Sequence, residues 1–277
     1  MSHIITARDA AIGTITIDRP ARFNSLDVET ARDLRAAALQ LARDDAIRVV
    51  VLRGSGGVVC SGADLKYIRA GGDERDLAYL TPEARQVPTG YGEVFKQILE
   101  YLHSTISEIR RAPKPCIAAV DGAAGAGGFG LAMSCDIVLA SRRSTFEWAY
   151  SKTALSGAES STFLLPRLIG LRRALELMLL NPRLDAARAL ELGLLTRVFA
   201  DEAFEGSVGE MARQLAAGPT KAYGIAKTLL NQAAGIDRLD YHLDQELEQL
   251  ARVADAPDFA AGLDAFFAKK PPVFEGR

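Results

Sequence analysis

The chain has 277 residues, 48% hydrophobic and 25% charged, with a net charge of −2. That balance suits a globular protein with one large core, and it supplies no field that would gather nucleic acid or anionic lipid. Three cysteines (Cys60, Cys116, Cys135) without a CxxC pair, and only three histidines, fit neither a disulfide framework nor a metal site, so a reducing cytoplasm is the expected compartment. The opening "MSHIITARDAAIGTITID" lacks a basic segment followed by an apolar one, and no window reaches the roughly 18 uninterrupted apolar residues of a membrane span.

In chain order, "IGTITID" at 12–18 reads as a strand, and 27–43 reads as a helix with Asp27 as N-cap and Leu34, Ala38 and Leu41 on one face. A second strand follows at 48–53, "RVVVLR", and then the glycine turn "VCSGADLK" at 59–66, which opens the helical stretch "ADLKYIRA". Segment 70–93 has several breakers and no sustained period, and reads as a long loop. Strands are expected at 115–120, 137–141 and 194–199, and a helix at 159–169. After Phe199 the pattern is helical, at 201–217, 219–233, 238–254 and 258–268, broken by Gly218-Pro219, Gly235 and Pro257. The expectation is an α/β core over 1–199, built on a mostly parallel sheet with crossover helices, and a helical C-terminal region over 200–277.

The stretch "GAGGFGLAMSCD" at 125–136 contains Gly125, Gly127 and Gly130 at the spacing of a dinucleotide-binding turn. Only about eight residues separate Gly127 from the next strand, fewer than a crossover helix needs, and that strand ends in Arg142-Arg143 where an acid is required. An oxyanion hole is the other active reading: glycines bare backbone N–H groups at a helix start for a developing anion. Such a hole takes two donors from separate segments, and the turn at 59–66 supplies the second. For either turn taken singly, close packing of strand against helix is the structural alternative.

Five stretches carry a wider pattern: "ITIDRPARFNSLD", "VVVLRGSGGVVCSGADLK", "KPCIAAVDGAAGAGGFGLAMSCDIVLAS", "FLLPRLIG" and "ARALELGLLTRVF". In that order they resemble the crotonase superfamily, also called the enoyl-CoA hydratase/isomerase family. The resemblance implies a spiral ββα core, trimers that often pair into hexamers, and acyl-CoA thioester substrates with no separate cofactor, since coenzyme A is part of the substrate. It implies that the amides of Ala63 and Gly127 hold the thioester oxygen, and that backbone at Ser61, Asp64 and Leu65 binds the adenine end. By the same resemblance Lys66 lies near the CoA, and Phe266 with Lys269 reaches a neighbouring subunit's nucleotide. For the two lysines solvated surface charge stands beside this reading, and for Phe266 a core position.

The family's hydratases use two glutamates, and the matching positions here are Gly130 and Tyr150. Glu147, three residues before Tyr150 on an extended segment, is expected on the opposite face. A subgroup of isomerases keeps one acid further along; the matching position is Ala158, with Glu159 one place beyond. Glu159 is therefore either the displaced proton carrier or merely a first-turn acid of helix 159–169. A dehalogenase-like subgroup places a histidine at His103, a tryptophan at Tyr150 and its nucleophilic aspartate at Ala158. His103 lies on the same helical face as Leu99, and is either structural or a base or partner of Glu159. Tyr150 is a pocket donor or a wall residue, and Trp148 is expected to share its face and suit a bulky acyl group. The favoured activity is double-bond isomerisation, with hydration next. Hydrolysis, dehalogenation and silent acyl-CoA binding are the alternatives.

Overall fold

The computed structural model describes residues 2–73 and 90–277. Among them, a six-stranded sheet has the order β1 (Ile4–Asp9), β2 (Ile12–Ile17), β3 (Val49–Gly54), β5 (Cys116–Val120), β7 (Ile137–Ser141), β10 (Arg197–Phe199). All neighbours are parallel except β1 and β2, which form an antiparallel hairpin. A second sheet of short strands runs β4 (Val58–Cys60), β6 (Ala123–Gly125), β8 (Thr145–Glu147), β9 (Leu184–Asp185).

The two sheets grow in step. Each of β3, β5 and β7 leads within four residues to a short strand of the second sheet, and the chain then returns through helical structure. This repeat is the spiral ββα core. Its short strands escape a reading by hydrophobic period because three residues carry too little alternation.

The helices between the strands are α1 (Val28–Arg43), α2 (Leu65–Arg69), α3 (Tyr91–Arg111), α4 (Gly127–Ser134), α5 (Ser161–Ile169), α6 (Leu171–Leu180) and α7 (Ala186–Glu191). After β10 come α8 (Phe204–Ala217), α9 (Thr220–Ala233), α10 (Leu239–Ala254) and α11 (Pro257–Ala268). Asp27 caps α1 as expected, its carboxylate accepting from Thr30 N–H at 2.9 Å. Most of the expected loop, residues 74–89, lies outside the described residues; its last three positions belong to α3.

Parallel strands bury both faces. Val50 and Leu52 of β3 face the main core, with α1 and α3, while Val49 and Val51 face a smaller cluster closed by Phe204, Val208 and Ala212 of α8. The C-terminal helices thus fold back onto the sheet. Helix α10 packs on α3, and α11 packs against the turn 150–153, so both reach the site described next.

Candidate active site

The turn at 59–66 is shaped by Gly62, whose φ of +96° is open to glycine without strain. A Cβ there would lie 2.7 Å from the Cβ of Ala126 and 3.1 Å from the amide nitrogen of Gly127, so the two glycine turns touch. Residue 63 pairs with Leu26 through the neighbouring Gly62 carbonyl and Asp64 N–H, which leaves the Ala63 amide without a backbone acceptor among the described residues. Gly127 opens α4, where N–H groups lack intrahelical partners and the helix dipole is positive. Every residue of α4 is buried, so its amide end meets the site in a dry setting. Ala126, just before it, is held at φ 45° and ψ −118°, a strained conformation for a residue with a side chain.

The first turn is clamped by charge. Asp64 accepts from Arg19 Nη1 at 2.8 Å and from Arg22 Nη2 at 2.5 Å, while it caps α2 through the amides of Lys66 and Tyr67. Burial works to raise its pKa, but the Arg22 hydrogen bond, the Tyr67 amide and the Arg19 charge outweigh this and hold it below the usual carboxylate value. Its own N–H and carbonyl bond to Leu26 O and Ile68 N–H. Asp64's polar groups are thus engaged within the fold, and Asp64 lines the cavity together with Ser61, Leu65 and Lys66, the other residues of this turn assigned to CoA.

Glu159 does not begin a helix. It and Ser160 have φ of +51° and +61°, and α5 starts only at Ser161. This left-handed pair turns the Glu159 side chain back over α4. A Cβ on Gly127 would lie 3.0 Å from Glu159 Oε1, and one on Gly130 would lie 2.3 Å from the Glu159 carbonyl oxygen and 2.7 Å from its Cβ. The space beside Gly130, where the resemblance puts a hydratase glutamate, is filled by Glu159 itself. The residue is 2% exposed, and among the described residues its Oε2 has no hydrogen-bond partner. Burial, followed by the nearby Glu246 charge, raises its pKa well above the ordinary value.

Two residues hold this turn from behind. The Glu159 N–H donates to His103 Nε2 at 3.3 Å, and the other side of the His103 ring meets the Leu243 backbone. Burial lowers the His103 pKa to about 3, so the ring is neutral, and it stands outside the cavity lining. Glu246 of α10 accepts from Ser160 N–H at 2.7 Å and Thr162 N–H at 2.9 Å, as well as from the Thr162 hydroxyl. It supplies the cap that Ser160, with no side-chain bond to its own helix, does not. Sequence reasoning missed Glu246. The available signal was a carboxylate interrupting the apolar stripe Leu239, Leu243, Leu250.

A cavity of about 440 Å³ lies beside these parts; its lining reaches Gly125 and Ala126, one residue short of Gly127. Ala63, Glu159, Tyr150, Leu155 and Phe95 line it, with Phe266 and Phe267 of α11 at its wall. Phe266 is 53% exposed and faces this chain's own cavity rather than a core, whereas Lys269 lies past the end of α11 and outside the lining. The Tyr150 hydroxyl is buried and has no hydrogen-bond partner among the described residues. Trp148 packs against Tyr150 with ring centroids 5.0 Å apart and planes inclined at 53°, but it supports the turn, donating from Nε1 to Ser161 Oγ at 3.2 Å, and is not part of the cavity lining.

Glu147 overturns its expectation by lining the same cavity as Tyr150. The strand ends at Glu147, Ala149 takes φ +65°, and residues 150–153 form a 3-10 turn, so alternation no longer relates the two side chains. Its carboxylate pairs with Lys152 and, at 3.5 Å, with Arg183.

Two touching glycine turns and one buried carboxyl thus stand beside a single cavity. The chain belongs to the enoyl-CoA hydratase/isomerase family, whose model matches residues 7–87 and 90–277. It is 33% identical to the 1,2-epoxyphenylacetyl-CoA isomerase of Escherichia coli over the full length of both chains. It is 31% identical to 4-chlorobenzoyl coenzyme A dehalogenase-2 of an Arthrobacter species, covering 97% of this chain and 91% of that one. An enoyl-CoA hydratase structure from Mycobacterium avium subsp. paratuberculosis superposes with a TM-score of 0.85 at 28% identity, covering 99% and 98% of the two chains.

Proposed function

We propose that this enzyme is an acyl-CoA double-bond isomerase with Glu159 as its single proton carrier. The thioester oxygen would sit between the Ala63 and Gly127 amides, which stabilise an enolate more than the neutral thioester. Glu159 would take a proton from substrate C2 and return it to C4, so that the bond between C3 and C4 becomes one between C2 and C3. The observation that carries this reading is the Glu159 carboxyl against Gly127, filling the room beside Gly130. One carboxyl moving one proton suffices for isomerisation. Hydration by the paired-glutamate route needs a second acid; the position for it holds Tyr150, and the other glutamate lining the cavity, Glu147, is held in ion pairs with Lys152 and Arg183.

The scheme needs no separate cofactor. Among the described residues no helix is long and apolar enough to cross a membrane. The three cysteines are free and buried, which suits the cytoplasm we assign. Exposed Leu171, Leu175, Leu179 and Leu180 on α6, with Ile225, Leu229 and Leu230 on α9, support assembly into a homotrimer or a dimer of trimers.

Incubating the enzyme with a 3-enoyl-CoA in D2O, and following bond position and label by NMR and mass spectrometry, tests the reading. A 2-enoyl product labelled at C4, lost in Glu159→Gln while thioester binding persists, is expected. Bound but unchanged substrate refutes it.

A further inference from the structure

We propose that Glu246 is the positioning residue of Glu159: from near the far end of the chain, its carboxylate holds the left-handed turn that aims the proton carrier into the cavity. The inference rests on Glu159 acting as that carrier.

Two consecutive left-handed residues with side chains are held only where the surroundings over-determine them. Here the constraint is specific. Three donors from residues 160 and 162 converge on one carboxylate that is 4% exposed, and the residue just before them, Glu159, is tied through its N–H to His103. Helix α10 is fixed in turn by its packing on α3, the helix that carries His103. One buried unit therefore sets both the backbone conformation at 159–160 and the direction of the Glu159 side chain. An apolar residue at 246 would preserve the stripe on α10 but leave the amides of Ser160 and Thr162 without their acceptor.

The arrangement also couples two charges. The titratable groups facing Glu246 are His103 from α3 at 3.9 Å, His242 on its own helix at 3.8 Å, and Glu159 in the turn, with Arg167 of α5 acting on His242. Burial keeps His103 neutral, so it does not offset the Glu246 charge. Burial raises Glu246 itself to about 7, against the opposing hydrogen bonds from Thr162 and Ser160. Ionised Glu246 makes Glu159 harder to ionise. Removing its charge therefore moves the ionisation of Glu159 to lower pH.

The test compares Glu246→Gln with wild type in full pH profiles of 3-enoyl-CoA isomerisation, with thioester affinity measured separately. The expected result is a fall in kcat of roughly 10-fold or more from misaimed geometry, unchanged affinity, and an acid limb of kcat/KM displaced to lower pH. A merely structural role would lower the melting temperature and leave the limb in place. Thr162→Val is the second variant, should Glu246→Gln fail to fold. It removes one hydrogen bond to the carboxylate, keeps the backbone donors, and is expected to move the limb the same way. A limb that stays in place in the folded variants, with kcat within twofold of wild type while Glu159→Gln is inactive, overturns the role of Glu246 alone. A fully active Glu159→Gln overturns the proposed function and this inference with it.

Discussion

Substituting Gly130 by alanine probes the site with a single methyl group. The added Cβ would stand 2.3 Å from the Glu159 carbonyl oxygen and 2.7 Å from its Cβ, and reaching the 3.4 Å of an ordinary contact requires the turn and α4 to part by about 1 Å. Overpacking of this kind costs about 1–3 kcal/mol, and at about 3 °C per kcal/mol for a chain of this size the melting temperature falls by roughly 3–9 °C. The larger effect is on chemistry, because a displacement near 1 Å at a proton carrier costs on the order of 100-fold in rate. Thioester affinity should change little, since the Ala63 amide is on another segment and the Gly127 amide faces the opposite turn. The assay pairs steady-state isomerisation with a direct binding titration. Gly130→Glu sharpens it: the new acid and Glu159 require the same volume, so the variant should lose isomerisation without gaining hydration. A Gly130→Ala enzyme with wild-type kcat and stability would refute the reasoning that Glu159 occupies this space.

Other consequences follow from the same geometry. Isomerisation by wild type should rise with pH through an ionisation above the ordinary glutamate value of 4.5, because burial and then Glu246 disfavour the Glu159 carboxylate; a rate already at its plateau at pH 4.5 would contradict this. Ala126→Gly should stabilise the chain by about 1 kcal/mol in urea titrations, since glycine adopts the strained conformation freely. His103, lowered to about 3 in the fold against an ordinary 6.5, binds a proton only in the unfolded chain between those values. Its contribution to stability is thus complete above pH 6.5 and is lost as pH falls. Relative to His103→Gln, wild type should lose roughly 2 kcal/mol of unfolding free energy between pH 6.5 and 4.5, the slope approaching about 1.4 kcal/mol per unit below pH 6. Equal pH dependence in the two proteins would refute a buried neutral ring.

The sequence by itself determined the strands of the parallel sheet, the helical C-terminal region and the two glycine turns, because period, caps and breakers are local. It also placed Ala63, Gly127 and Glu159 through the motifs around them. Tertiary structure alone decided where the Glu159 side chain lies. At the level of spacing, a helix-start acid and a displaced proton carrier were equally good readings; the left-handed backbone at 159–160 takes Glu159 out of the helix, and the amides that follow it bond to Glu246, almost ninety residues away. Glu147 shows the same limit from the other side. Alternation predicted its direction only while the strand lasted, and the strand ends at that residue. Local propensities fix elements because each residue reads its near neighbours, whereas the aim of a buried carboxyl is set by groups that meet only when the core closes.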